Sequence, residues 1–301
     1  MFNQEFPIVT PRQDIGLAVD RHPGVVAQKD WMIEIPFDVS YQQVIYPLNN
    51  CLMKVATATG SDEEKTYAFA PAANLANAPQ PFTAEIRFSD GSNNIDYTYP
   101  GLVGQELEIS AELAGLTTGV WRCFARSENT NAITAAQTAP TTLHIPVGGS
   151  WRIKTGNSWA NIGSTNVAGQ LYGFTWKHTT PWTPAHYMDG DLGPSRKRAN
   201  MRSTTLTLTL DQEASSGFAA TLRTALTSRA LVPIRLHAVG PTINTGTYAI
   251  NIDGMYTVEK WGAPTDHDGE DAVSVDLMAK YDSTGASDIA VTVVNEDGTL
   301  T

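Results

Sequence analysis

Apolar and polar residues alternate with a period of two through most of this chain. Between 106 and 113, Leu107, Ile109, Ala111 and Leu113 interleave with Glu106, Glu108, Ser110 and Glu112. Such spacing buries one face of a strand and wets the other. It recurs at Ala84, Ile86, Phe88, at Leu143, Ile145, Val147, and at Leu206, Leu208, Leu210, where Thr205, Thr207 and Thr209 hold the opposite face. It returns at Val232, Ile234, Leu236, at Tyr248, Ile250, Ile252, along Val273, Val275, Leu277, Ala279, Tyr281, and at Ile289, Val291, Val293. Asp90-Gly91 and Asp253-Gly254 are hairpin-type dipeptides. Two segments carry helical spacing instead. Residues 47–57 set Leu48, Cys51, Leu52 and Val55 on one face, with Pro47 at a first helical position. Residues 215–229 do the same with Phe218, Leu222, Ala225 and Leu226, behind Ser215 or Ser216 as N-cap.

The order of these elements suggests a duplication. Residues 31–147 read strand, helix, strands, and residues 151–295 read strands, helix, strands. SENTNAITAAQTAP at 127–140 is small, polar and without periodicity, as a linker would be. Residues 1–30 contain Pro7, Pro11, Pro23 and Gly24 without periodicity, which predicts an extended arm with no packed element. The expected fold is mostly β: an arm (1–30) and two tandem β-sandwich or barrel domains (31–147 and 148–301), each with one flanking helix.

A length of 301 residues allows one large domain or two ordinary ones, and 42% hydrophobic against 17% charged residues excludes a disordered chain. No apolar run reaches the roughly 20 residues that span a bilayer. The start, MFNQEFPIVTPRQD, has neither a basic nor an apolar signal region, so folding in the cytoplasm of the producing cell is expected. Cys51 and Cys123 make neither a disulfide framework nor a metal-ligand spacing. The formal charge is −11. Residues 1–146 hold 16 acids against 8 bases and the remainder 15 against 12, or −8 and −3, so neither half is a basic nucleic-acid platform.

Candidate chemistry is sparse. His178, His186, Asp189 and Asp191 fall in a Pro-rich stretch with the histidines eight apart, unlike a metal-ligand spacing, and read as an ordered surface loop. DHDGED at 266–271 lacks the register of a calcium loop and reads as a hairpin turn. VGGS at 147–150 has neither the lysine nor the spacing of a phosphate loop, and no nucleophile elbow occurs. The sequence therefore predicts neither an enzyme nor a cofactor. Seven tryptophans suit cores and subunit interfaces, or sugar stacking in a secreted sandwich. One basic cluster stands out, with Arg196, Lys197, Arg198 and Arg202. It suits contact with an acidic surface of another subunit.

Residues 80–300 resemble the tail tube proteins of long-tailed, siphovirus-type bacteriophages. The resemblance lies in the order of FTAEIRFSDGSNNIDYTYPGLVGQELEISAELAGLTTGVWRCFARSE, then SWRIKTGNSWANIG, LYGFTWKHTTPWTPAHYMDGD, LTLTLD, a helix, VPIRLHAVG, YAINIDGMYTVEKWG and VSVDLMAKYDSTGASDIAVTVVNEDGTL. It implies β-sandwich tube domains flanked by a helix. It also implies rings whose inner sheets join into one barrel, stacking through long loops and arms, and no active site. The implied function is a virion conduit for genomic DNA. Its partners would be further copies of the chain, tail-tip, terminator and tape-measure proteins, and DNA passing without specific binding. Two tube domains per chain predict a trimeric, pseudo-sixfold ring, with 179–203 touching the next ring. Glu106, Glu108 and Glu112 are the expected lumen-facing row, because like charges on one strand face repel and folding alone would not favour them. Thr205, Thr207, Thr209, Ser274 and Asp276 form the other candidate face. The alternative is a carbohydrate-binding adhesin or tail-tip module, which requires exposed aromatics on one face. A β-sandwich hydrolase is a third reading.

Overall fold

The computed structural model describes residues 2–5, 8–9, 25–26, 29–52, 58–61, 64–71, 80–89, 94–134, 143–167, 170–188, 193–198, 201–212, 217–243, 246–267, 269–283 and 287–296. The first half folds as β1 (Phe2–Glu5), β2 (Ile8–Val9), β3 (Val25–Val26), β4 (Asp30–Asp38), α1 (Ile45–Leu52), β5 (Thr59–Ser61), β6 (Glu64–Phe69), β7 (Phe82–Ser89), β8 (Asn94–Glu112) and β9 (Thr118–Ala125). The second half follows with β10 (Trp151–Thr155), β11 (Thr165–Val167), β12 (Leu171–Thr179), β13 (Trp182–Ala185), β14 (Ser195–Arg198), β15 (Ser203–Asp211) and α2 (Phe218–Ser228). It closes with β16 (Val232–Ile243), β17 (Gly246–Trp261), β18 (Thr265–His267), β19 (Glu270–Ala279) and β20 (Ile289–Asn295). The fold is mostly β, as the period of two requires, and every named pairing is antiparallel.

One sheet runs through both halves in the order β1-β4-β9-β8-β12-β15-β19-β17-β16-β10-β11. Within it a single four-strand order occurs twice, as β1-β4-β9-β8 and as β12-β15-β19-β17. The two quartets share several further features. A small two-stranded hairpin, β2–β3 or β13–β14, separates the first two strands. The second strand has nine residues in both cases and leads into the helix. A long strand then pairs with its hairpin partner along its first part, β8 with β7 and β17 with β16, and with the closing strand along its last part, β9 or β19. Both long strands bulge at the same point: between Gly104 and Glu106, facing Cys123 and Arg122, and between Val258 and Lys260, facing Leu277 and Asp276.

The repeat starts at β1, so the expected arm is not structureless: Phe2–Glu5 pairs with Asp30–Ile33. The expected linker is held down where it is described. Asn129 bridges Thr98, and Thr134 donates its N–H and hydroxyl to Glu85 at 2.9 and 2.8 Å. Asp253-Gly254 is not a turn but the middle of β17, with Asp253 opposite Arg235 on one side and Ala290 on the other. Period-two alternation continues through that dipeptide, and a strand long enough to pair with β16, β20 and β19 has no place for a turn there. Leu143 and Val147 lie outside the strands and are exposed. Asp90 and Gly91 fall outside the described residues, between two strands that pair as a hairpin.

The halves repeat a connectivity but share one core. β8, β12, β15 and β19 send Leu107, Ile109, Trp176, Leu206, Leu208 and Val275 inward from one layer. β10, β16, β17, β20 and β6 send Ile153, Ile234, Ile250, Val291 and Tyr67 from the other. Between them lies α1, whose Ile45, Leu48, Cys51 and Leu52 are fully buried. This corrects the expectation of a flanking helix in the first half. The close approach of α1 to β8 depends on Gly104, where a Cβ would stand 2.5 Å from Cys51 Sγ and 2.6 Å from Asn50 Oδ1. The last strand, β20, pairs with β6 of the first half as well as with β17. α2 starts at Phe218 behind Gly217, and the side-chain oxygen of Gln170 accepts the Phe218 N–H at 2.8 Å, while Ser215 and Ser216 lie outside the described residues. A smaller core under the β7–β8 hairpin joins Trp31, Ile33, Tyr99, Leu102, Cys123 and Ala125.

A shared core predicts one cooperative unfolding transition for the whole chain. Leu48→Ala should lower stability by about 3 kcal/mol, with tryptophan fluorescence and far-ultraviolet circular dichroism still unfolding together in denaturant. Two separate transitions would mean that the halves hold independent cores.

Candidate functional site

Glu106, Glu108, Ser110 and Glu112 project from one side of β8 because Leu107, Ile109 and Ala111 are buried on the other. Thr205, Thr207 and Thr209 leave β15 in the same way, and Ser274 and Asp276 leave β19. The register places all of them on one face. Across β8 and β12, Glu106 faces Thr179, Glu108 faces Lys177 and Ser110 faces Thr175. Across β12 and β15, those three residues face Ser203, Thr205 and Thr207. Thr207 and Thr209 then face Asp276 and Ser274 of β19. Towards the other edge, β9 and β4 add Thr118, Arg122, Glu34 and Asp38. Two faces that the sequence leaves in separate halves are thus a single wall six strands wide.

The wall is hydroxyl-rich and acidic. Ser110 and Thr118 are bonded at 3.1 Å, and Thr207 donates to Asp276 at 2.8 Å. Glu34, Asp38, Glu106, Glu108, Glu112 and Asp276 share the face with Arg122 and Lys177. Arg122 donates to Glu34 at 2.8 Å and also to Glu106, and Lys177 approaches the second Glu106 oxygen at 2.7 Å. These pairs correct the repulsion expected along the glutamate row. Glu106 is neutralised by two cations from neighbouring strands, and the unbalanced character of the row rests on half-buried Glu108 and exposed Glu112. Arg122 and Lys177 escape a motif search. Their only signal is a charged residue at a polar position of an alternating strand, with its partner set by register.

The opposite layer carries the reverse charge. β10, β16 and β17 set Arg152 beside His237, Lys154 beside Arg235, and Arg235 beside Asp253, all on the side away from the core. Arg235 grips Asp253 through two bonds of 2.6 and 2.8 Å. His237 lies 2.5 Å from Asn251 and is held below its ordinary pKa, first by burial and then by Lys154, Arg235 and Arg152. WRIKT and IRLHA carried this cluster in the sequence as alternating cations, visible only as a patch once two strands pair.

The basic run 196–202 is divided. Arg196, Lys197 and Arg198 lie on β14, opposite Pro184, Thr183 and Trp182 of β13, in the hairpin beyond the Thr179 end of β12. Arg196 is exposed, while the side chains of Lys197 and Arg198 lie outside the described residues. Arg202 is not part of that surface. Its guanidinium makes two bonds to Asp288, at 3.0 and 2.6 Å, with side chains only 9% and 14% exposed. Arg202 is therefore withdrawn from the expected contacts with another ring. His186 of the same hairpin meets Asp30 at 2.7 Å, and Asp189 and Asp191 lie outside the described residues. Among the described residues, no group of three or more His, Cys, Asp or Glu is placed to hold a metal. DHDGED forms the expected turn, with the Gly269 N–H donated to Asp266 at 2.9 Å.

Arg202→Met leaves the Asp288 carboxylate mostly buried without its partner and should cost about 3 kcal/mol. Arg196→Ala, at an exposed position where a surface interaction contributes little, should stay within about 1 kcal/mol of wild type. Denaturant melts of the two variants check this division. His178 gives a pH test. It is fully buried, stacks on Trp176 and bonds Thr204 at 2.8 Å through Nδ1. Burial first of all pushes its pKa down to about 4. The unfolded chain, near 6.5, takes up this proton first. The stability contributed by neutral His178 is complete above pH 6.5 and is lost as pH falls towards 4. His178→Gln should flatten the fall of stability across that window by on the order of 3 kcal/mol, read from melts at pH 7, 5.5 and 4. In comparison with known proteins, no family model and no curated protein sequence matches this chain.

Proposed function

We propose that this chain is a structural subunit that self-assembles into stacked rings, forming the tail tube of a long-tailed bacteriophage through which genomic DNA passes to the host. The observation that carries the reading is the acidic, hydroxyl-rich wall that runs unbroken from β4 to β19 across both halves. Non-specific binding to DNA is driven by cationic side chains that displace the counterions condensed on phosphate. A wall on which Glu108 and Glu112 stand unbalanced, and whose Arg122 and Lys177 are tied to carboxylates, offers DNA little to hold. The basic cluster of Arg152, Lys154, Arg235 and His237 belongs to the outer layer in this arrangement, away from the lumen.

Geometry favours three copies. Each chain contributes eight consecutive strands of its sheet, β1, β4, β9, β8, β12, β15, β19 and β17, of which the middle six carry the wall. Three chains supply 24, and strands about 4.8 Å apart and tilted about 40° then close a barrel of roughly 48 Å backbone diameter. Two chains would give roughly 32 Å, which inward side chains narrow further. Contact with the next ring falls to the β13–β14 hairpin, which carries exposed Tyr187, Met188 and Arg196. A sugar-binding module is less well supported, because all seven tryptophans are buried or half-buried.

The test is negative-stain microscopy of the purified chain, which should show rings or tubes with three-fold averages. Compact single particles at all concentrations would overturn the reading. In the same preparation, Glu108→Lys with Glu112→Lys should still assemble but should retain a short DNA duplex at low salt and release it at high salt. The wild-type assembly should retain none. Equal retention by both would place the wall outside the channel.

A further inference from the structure

The junction between the two quartets is a template for a contact between copies. β12 has one edge on β15 and the other on the end of β8, where Glu106 faces Thr179 and Glu108 faces Lys177. β1 is the counterpart of β12. It precedes a small hairpin and pairs with β4 as β12 pairs with β15, Glu5 opposite Asp30 where Thr179 is opposite Ser203. β17 is the counterpart of β8, with the same bulge, and Lys260 stands just past it opposite Asp276, as Glu106 stands opposite Arg122.

Among the described residues, both counterparts keep an unpaired edge. β1 is the terminal strand of the sheet, and residues 257–261 pair with β19 alone. The outward carbonyl of Val258 meets the Arg229 guanidinium at 3.4 Å. At the equivalent point of β8, the Gly104 carbonyl accepts the Thr180 hydroxyl at 2.7 Å. An open strand edge aligned with the rest of its sheet is a ready template for another strand.

We propose that these edges pair between copies: residues 260–262 of one chain run antiparallel to residues 3–5 of the next, in the register of the β8–β12 junction. Lys260 then stands opposite Glu5 of the neighbouring copy, Trp261 opposite its Gln4 and Gly262 opposite its Asn3. The opposite charges of Lys260 and Glu5 favour this register over its slips. Two different edges meet, so the contact is heterologous and repeats from copy to copy until rotation closes a ring. Closure rests on the tube reading, whereas the pairing itself rests on the internal repeat.

Directly opposed residues of an antiparallel pair sit within disulfide reach, which makes the register testable in the full chain. Lys260→Cys combined with Glu5→Cys, mildly oxidised, should run on a non-reducing denaturing gel as monomer, dimer and trimer, collapsing to monomer on reduction. Lys260→Cys alone should stay monomeric, because native Cys51 and Cys123 are buried. Lys260→Cys with Phe2→Cys, three residues out of register, should link at least tenfold less. No cross-link from the matched pair, or equal linking from the mismatched one, overturns the proposal. Microscopy of the same samples separates the two ideas. Rings without the cross-link sink this junction and leave the tube, whereas unassembled particles without it sink both. A ladder ending at six would uphold the junction and revise the ring size.

Discussion

The architecture depends on one lateral contact, the antiparallel pairing of β8 with β12. A strand whose inward side chains are as apolar as those of β8 cannot leave a long edge unpaired without inviting aggregation. In this chain the second quartet satisfies it. The register Glu106–Thr179 through Glu112–Gly173 aligns two pleats, so Leu107 and Ile109 fall on the same side as His178 and Trp176. A slip by one residue would turn Trp176 to the polar side and Lys177 into the core. The single core and the single polar wall both follow from that alignment.

The layers on either side of the core then acquire opposite electrostatic character. Strands from both halves place carboxylates and threonines on one outer surface, while β10 and β16 place Arg152, Lys154 and Arg235 on the other. Neither surface is a simple accumulation of one sign: Arg122 and Lys177 hold Glu106, and Asp253 holds Arg235. Such pairs limit self-repulsion within each sheet and leave the imbalance to positions such as Glu108, Glu112 and Arg152. Long-range polarity across a thin sandwich costs little stability when the nearest charges are paired.

The helix α1 and the strand β20 make the halves interdependent. α1 belongs by chain order to the first quartet, yet its buried side chains join the same core as Leu206, Ile234 and Val291 of the second half. β20 is made last and completes the pairing of β6, far earlier in the sequence. Burial of Trp176, His178 and the Arg202–Asp288 pair lies in this region where both halves meet. What repeats is therefore the connectivity, with one core shared by both halves.

By itself the sequence determined the elements. Alternation at Leu206–Leu208–Leu210 and Val273–Val275–Leu277 defines strands and their buried sides, because side-chain direction in a strand depends only on parity. Helical spacing located α1 and α2 for the same reason. The row Glu106, Glu108, Glu112 was legible as a polar face, and so were the threonines of β15. What lies opposite each row is set by strand pairing and register, as with Thr179 opposite Glu106 and Asp276 opposite Thr207, which no local pattern encodes. Only the tertiary structure joined the glutamate and threonine rows into one wall, paired Glu106 with Arg122 and Lys177, and drew Arg202 out of its basic cluster into a buried bond with Asp288. It also showed β1 as the counterpart of β12, since a short strand among prolines carries no periodicity and is recognised only by the edge it occupies.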